Sequence, residues 1–139
     1  MRMIVAVTAL LLAACDWFEN PSPEQARLQI QGDTGKVVRL IVSTEFVAAV
    51  NEQNQTRVVL FRADTLFTKL PFERVYNIES DQRFFAEMAR LDTDVENIHM
   101  LIYVDRSKKF EEGGLLIPDR PYRFVYTFNQ TFTREISVL

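Results

Sequence analysis

From residue 26 onward, apolar and polar residues alternate in short runs separated by turn-forming clusters. Ala26, Leu28 and Ile30 alternate with Arg27, Gln29 and Gln31, the period of a strand with one face buried. Gly32-Asp33-Thr34-Gly35 is a turn sequence. In residues 36–50 the stretch 37–42 is β-branched and almost continuously apolar, which predicts a central strand buried on both sides. Phe46 and Val47 continue that strand or begin a bulge. Residues 51–55 form a polar loop. Residues 56–61 predict another strand, with a break at 62–65. Leu66, Phe67 and Leu70 then run to Pro71, which cannot donate to a ladder. Residues 74–78 resume as a strand.

The second half repeats the pattern. Residues 81–91 fit two periods. Phe84, Phe85, Met88 and Leu91 lie at helical spacing, while Phe85, Ala89 and Leu91 share one side of a strand. Strands on both flanks favour a strand; local propensity favours one short helix. Residues 92–94 are a turn or loop. Ile98, Met100, Ile102 and Val104 alternate with His99, Leu101 and Tyr103, and residues 105–109 close that strand as a charged turn. Residues 115–117 make a short strand stopped by Pro118. Tyr122, Phe124, Tyr126 and Phe128 form an aromatic strand. Ile136 and Val138 share one side of the closing segment. Eight or nine short strands at this spacing predict an all-β fold, an antiparallel β-sandwich of two packed sheets. With a single cysteine in the chain, a disulfide-centred immunoglobulin domain is excluded. The expectation is an immunoglobulin-like sandwich without the disulfide, with a transthyretin-like or lipocalin-like barrel as the alternative.

The amino-terminal end has a different character. Arg2 precedes an uncharged run from Ile4 to Leu12. That run spans roughly 14 Å as a helix, against the ~20 residues a bilayer core needs. It is too short for an ordinary span and fits a processed export signal. Leu12-Ala13-Ala14-Cys15 resembles the lipobox of bacterial lipoproteins: an aliphatic residue, two small residues, then cysteine. One basic residue precedes the run, where two or more are commoner in that family. The resemblance covers the first fifteen residues, and the remaining domain resembles no named family. It implies diacylglycerol on the Cys15 sulfur and cleavage between Ala14 and Cys15. Residues 1–14 are then a signal peptide, and 125 of the 139 residues remain. It further implies attachment to a lipid bilayer. Asp16, directly after the cysteine, resembles the retention signal for the periplasmic face of the inner membrane in enteric bacteria, with the outer membrane as the other site. Residues 15–25 contain Pro21 and Pro23 and read as a tether, leaving residues 26–139 as the domain. Trp17 and Phe18 suit the headgroup zone, where aromatic rings collect, or pack on the domain.

Composition narrows the function classes. Beyond the signal, 15 basic and 19 acidic residues remain, and no concentrated basic face exists, which disfavours nucleic acid. Lipidation consumes the only thiol, so the domain stands on its hydrophobic core, for which eleven Phe are available. His99 is the only histidine. Neither a zinc site of the usual His/Cys set nor a triad hydrolase can be assembled around it. Asp92, Asp94 and Glu96 alternate within a loop, with Glu111-Glu112 later, but the EF-hand glycine and terminal Glu are missing. Paired carboxylates of glycosidase type have no marked member, and no serine lies in a nucleophile elbow. Asn54-Gln55-Thr56 and Asn129-Gln130-Thr131 match the glycosylation pattern and read as turn chemistry. The aromatic ladder at 122–128 is a core face before it is a sugar platform. The expectation is a lipid-anchored, non-catalytic envelope protein, with no cofactor beyond the acyl lipid, that stabilises a membrane or envelope protein assembly. The alternative is an anchored binding module for a glycan, small ligand or ion; an envelope enzyme is the third class.

Overall fold

The computed structural model describes residues 22–91, 96–117, 119–128, 130–133 and 135–139. All regular structure among them is strand: β1 Gln25–Gln31, β2 Val37–Val50, β3 Thr56–Lys69, β4 Phe72–Asn77, β5 Arg83–Arg90, β6 Glu96–Val104, β7 Ser107–Leu116, β8 Tyr122–Thr127, β9 Gln130–Phe132 and β10 Ile136–Val138. They form a four-stranded sheet, β4-β1-β6-β7, and a six-stranded sheet, β10-β3-β2-β5-β8-β9. Every pairing is antiparallel except β10 on β3. The molecule is thus an all-β sandwich.

The alternation explains the main core. Ala26, Leu28 and Ile30 of β1 and Ile98, Met100, Ile102 and Val104 of β6 point from the small sheet onto Val38, Leu40, Val42, Phe84, Ala86, Met88, Phe124 and Tyr126 of the large one. A second, separate core lies on the opposite face of the large sheet, where Phe46, Val58, Phe85, Val125 and Ile136 are buried together. The two cores are possible because β2 and β3 each carry an irregularity. The ladder runs Val42↔Asp64, then Glu45↔Arg62, then Phe46↔Leu60. Each strand takes up one extra residue, so the register is recovered while the facing of even-numbered positions reverses. Val42 looks into the sandwich; Phe46 looks the other way, against Phe85 at 6.2 Å between ring centroids. Ser43 holds the irregular stretch. Its hydroxyl lies between the Glu45 and Arg62 carbonyls and accepts the Glu45 amide.

The large sheet curls around this second core. Its edge strands β9 and β10 are adjacent in sequence yet sit at opposite ends of the strand order. Arg123 of β8 helps close the gap, donating to the Ile136 carbonyl of β10 at 2.8 Å. The curled half is barrel-like, and the other half is one layer of the sandwich.

The structure bears out the strand reading of residues 81–91: they hold no helix, and β5 crosses the middle of the large sheet. Phe84 and Phe85 are adjacent and both buried because they face the two different cores, which mimics a helical cluster in the sequence. Other expectations need correction. The break expected at 62–65 is a register shift inside one 14-residue strand. Positions 107–109 belong to β7, which runs unbroken to Leu116, so only 105–106 turn. The 37–42 stretch is central, but its odd positions are only partly covered, with Val37 exposed. Residues 22–25, assigned to the tether, are pinned to the domain. Pro23 is buried, and the Glu24 and Gln25 amides both donate to Asp105 Oδ1 at 3.0 Å.

Candidate functional site

The residues singled out in the leader and tether, Ala14, Cys15, Asp16, Trp17 and Phe18, lie outside the described residues. So do Asp92, Asp94 and Asn129, and the side chain of Glu96. Among the described residues no group of three or more His, Cys, Asp or Glu side chains is arranged to hold a metal ion. His99 projects from the outer face of the small sheet, as its place opposite Ile98 and Met100 requires. Its Nε2 lies 3.1 Å from Glu111 Oε1, and Lys108 reaches the other oxygen of that carboxylate. The Lys108 ammonium, by hydrogen bonding first and charge second, holds Glu111 below its usual range, and the Glu111 carboxylate, in the same order of causes, holds Lys108 above its own. The row is a solvated strand face. Of the aromatic ladder, Tyr122, Phe124 and Tyr126 belong to the main core, while Phe128 turns outward with φ of 46°.

The end of the molecule at which the described chain begins carries a cluster of features. Ser22 Oγ accepts from Gln82 Nε2 at 3.0 Å. The Gln82 carbonyl accepts the Phe128 amide at 3.0 Å. Next along, Arg83 donates to the Phe46 carbonyl at 2.7 Å and lies over the Phe128 ring at 5.0 Å. A recess of about 290 Å³ opens here, lined by Val47, Ala48, Arg83, Thr127, Phe128 and Gln130. Val47 and its cross-strand partner Val59 point away from the second core. Phe61, 67% exposed, Phe128, 56% exposed, Val50 and Leu139 are further large apolar residues left open on this side. A further exposed set, Val37, Phe67, Leu91, Leu115 and Ile117, lies at the strand ends on the opposite side.

Two polar features accompany these. A cleft of about 280 Å³ sits at the irregularity in β2 and β3, bordered by Ser43, Thr44, Glu45, Arg62, Asp64, Tyr76 and Asn77. Among the described residues the buried Tyr76 hydroxyl meets no hydrogen bond of good geometry, and burial raises it above the usual tyrosine range, against the lowering pull of the neighbouring Arg74. The second feature is a buried carboxylate. Glu87 of β5, 5% exposed, accepts from Arg39 at 3.2 Å and from Arg123 Nε at 2.7 Å. Glu87 stands directly opposite both Ile41 and Arg123 on neighbouring strands, so the triad caps the second core and ties Arg123 into its position over β10. Sequence reading missed it because each member is an ordinary polar position in an alternating strand; only the register brings them together. No known protein family, characterised protein or solved structure matches the chain.

Proposed function

We propose that this protein is a lipid-anchored, non-catalytic lipoprotein of the bacterial envelope that acts as an accessory or stabilising subunit of a membrane or envelope protein assembly. The observation that carries the reading is the place where the domain meets its anchor. Ser22 is fixed to Gln82, beside Phe128, Val47 and the recess between them. Cys15 lies seven residues upstream, at most about 25 Å of extended chain. An acylated Cys15 therefore holds this end of the domain next to the bilayer. Two or three acyl chains make that attachment stable, where one would be reversible. Exposed apolar side chains at an end confined to the membrane surface suit contact with a protein embedded there, and confinement lets a modest interface suffice.

Fractionation of cells tests the anchor. Wild-type protein is expected in the membrane fraction, lacking residues 1–14 and carrying added acyl mass on Cys15, while Cys15→Ala is soluble or unprocessed. A mature chain that begins elsewhere and keeps an unmodified Cys15 would sink the proposal. The polar cleft with the buried Tyr76 hydroxyl favours a second reading, an anchored binding module for a small polar ligand. In that case Tyr76→Phe alters ligand binding without altering association with other proteins.

A further inference from the structure

We propose that the open edge of β2 at residues 46–50 is a strand-acceptor site, where an extended, apolar, proline-free segment of a protein at the same membrane adds to the large sheet. The inference deepens the anchored reading, which it uses to place the partner.

Among the described residues, the ladder leaves this edge open. β5 pairs with β2 only as far as Ser43, and no described strand follows it alongside residues 46–50. On the other side, β3 pairs with β2 through Val50. The hairpin fixes which backbone groups point outward. The Asn51 amide donates to the Gln55 carbonyl at 2.9 Å, so Val47 and Ala49 direct their groups at β3. Phe46, Ala48 and Val50 direct theirs away. The Phe46 carbonyl agrees, since it is the one that Arg83 reaches. The outward N–H and C=O groups of Ala48 and Val50 have no ladder partner among the described residues, and Ala48 lines the recess with Val47, Arg83 and Phe128.

Sequence separates this edge from the others. Sheet edges are normally guarded by charge, by proline or by shortness. β4 carries Glu73 and Arg74, and β7 carries Lys108, Lys109, Glu111 and Glu112. β9 and β10 have three residues each. The 46–50 edge reads Phe-Val-Ala-Ala-Val, with a charge (Arg83) capping only the Phe46 carbonyl and the backbone of Ala48 to Val50 left without any of these protections. An unguarded edge of this kind is the template that strand addition uses, with backbone bonds giving affinity and flanking side chains giving selectivity. Its occupant follows from the chain upstream. Ser22 stays within about 25 Å of Cys15 along the chain, and it is held to Gln82 beside Arg83, which reaches the edge at the Phe46 carbonyl. The incoming strand therefore belongs to a protein whose extended segment lies at the bilayer surface.

The test uses the full chain in its own membrane. A benzoylphenylalanine replaces Phe128, which flanks the recess, and cross-linked peptides are mapped after irradiation. The expected adduct lies in an extended apolar segment of a different protein. Ala48→Pro removes the outward amide while leaving the β3 ladder untouched. It should reduce the adduct about tenfold, the weight of one backbone hydrogen bond. Val50→Lys, which adds a guarding charge, should do the same, and it serves where the proline variant fails to fold. An adduct that persists in a folded edge variant overturns the proposal. So does an adduct confined to lipid, to a second copy of this chain or to residues 15–21, and so does the absence of any adduct. The membrane fraction of the same sample reads the anchor separately. Soluble wild-type protein would defeat the lipoprotein reading while leaving the cross-link result interpretable.

Discussion

Removing the carboxylate of Glu87 should loosen the second core before it unfolds the domain. In the native protein Glu87 is almost wholly buried and balances two guanidinium groups, Arg39 and Arg123. Glu87→Ala leaves both cations facing each other across an apolar patch. Breaking a fully buried ion pair from one side costs about 3–5 kcal/mol. Here the two arginine side chains keep 39% and 30% of their surface in water, so part of their charge is resolvated. The expected loss is about 2–3 kcal/mol, below that range because exposed ion pairs contribute little. In urea, with a slope of about 1–3 kcal/mol per molar, the midpoint should fall by roughly 1–2 M. The loss should also be local at first. Arg123 freed from Glu87 holds Ile136 less firmly. Amides bridging β10 and β3, Thr56 on the Glu135 carbonyl and Leu139 on the Val58 carbonyl, should exchange faster than those of β1 and β6. Replacing all three charged residues by leucine should recover most of the loss, since a paired set and an apolar set of similar volume are often equivalent. A Glu87→Ala protein within 0.5 kcal/mol of wild type, or one whose exchange quickens evenly in both sheets, would refute the capping role.

Other expectations follow from single contacts. Arg83→Ala loses a charged hydrogen bond to Phe46 and a stack on Phe128; a cost of about 1.5–3 kcal/mol is expected in urea melts, and wild-type stability would rule the strap out. At Gly32, an added Cβ would lie 2.7 Å from Leu70 Cδ1 and 3.3 Å from the Asn97 carbonyl. Gly32→Ala should therefore cost about 1–3 kcal/mol by overpacking, and an unchanged melting temperature would show that Leu70 moves aside freely. Lys108→Met should return Glu111 towards the ordinary carboxylate range, read by carbon-detected titration. The depressed carboxyl favours the folded state above its unfolded pKa, and that contribution disappears as pH falls through the folded value. The raised Lys108 acts in the opposite sense, favouring the fold below its unfolded pKa and losing effect as pH rises through its folded value. An identical Glu111 titration in Lys108→Met would refute the pairing.

Much of the fold was legible because period-two alternation is a direct image of a half-buried strand. Residues 26–31, 98–104 and 122–126 fall where that alternation places them. The turns at 32–35 and 51–55 were legible for the same kind of reason: Asn51 Oδ1 accepts the Gln53 and Gln55 amides, as short polar side chains in turns do. The second core was not legible. Val38, Leu40, Val42, Phe46 and Ala48 are all even-numbered, and an uninterrupted period would put them on one face. Only the extra residue absorbed at 43–45 sends Phe46 to the other side, and neither Thr44 nor Glu45 advertises it. The same irregularity made β5 legible as a strand but ambiguous against a helix, because its adjacent buried phenylalanines serve different cores. Of the candidate surface, Phe128 read as the end of an aromatic ladder, because the φ that turns it out leaves no mark on composition. The open edge is invisible for a deeper reason, since it depends on where β5 stops, and a strand's neighbour is set by the whole topology.

The parallel pairing of β10 with β3 has a consequence for how the protein is made. Ile136 meets Thr56 across 80 residues of chain, and β8, at 122–127, contributes to both cores. A chain that emerges amino-terminus first therefore presents β2 and β3 as an apolar hairpin well before anything can cover either face. The sandwich layer waits for residue 126, and the curled layer waits about ten residues more. Contacts this distant make for slow folding. Through that interval the unguarded 46–50 edge is exposed to other nascent chains. If the chain is exported and lipid-anchored as proposed, passage across a membrane in an unfolded state would hold the growing chain apart from its copies until the last strand arrives.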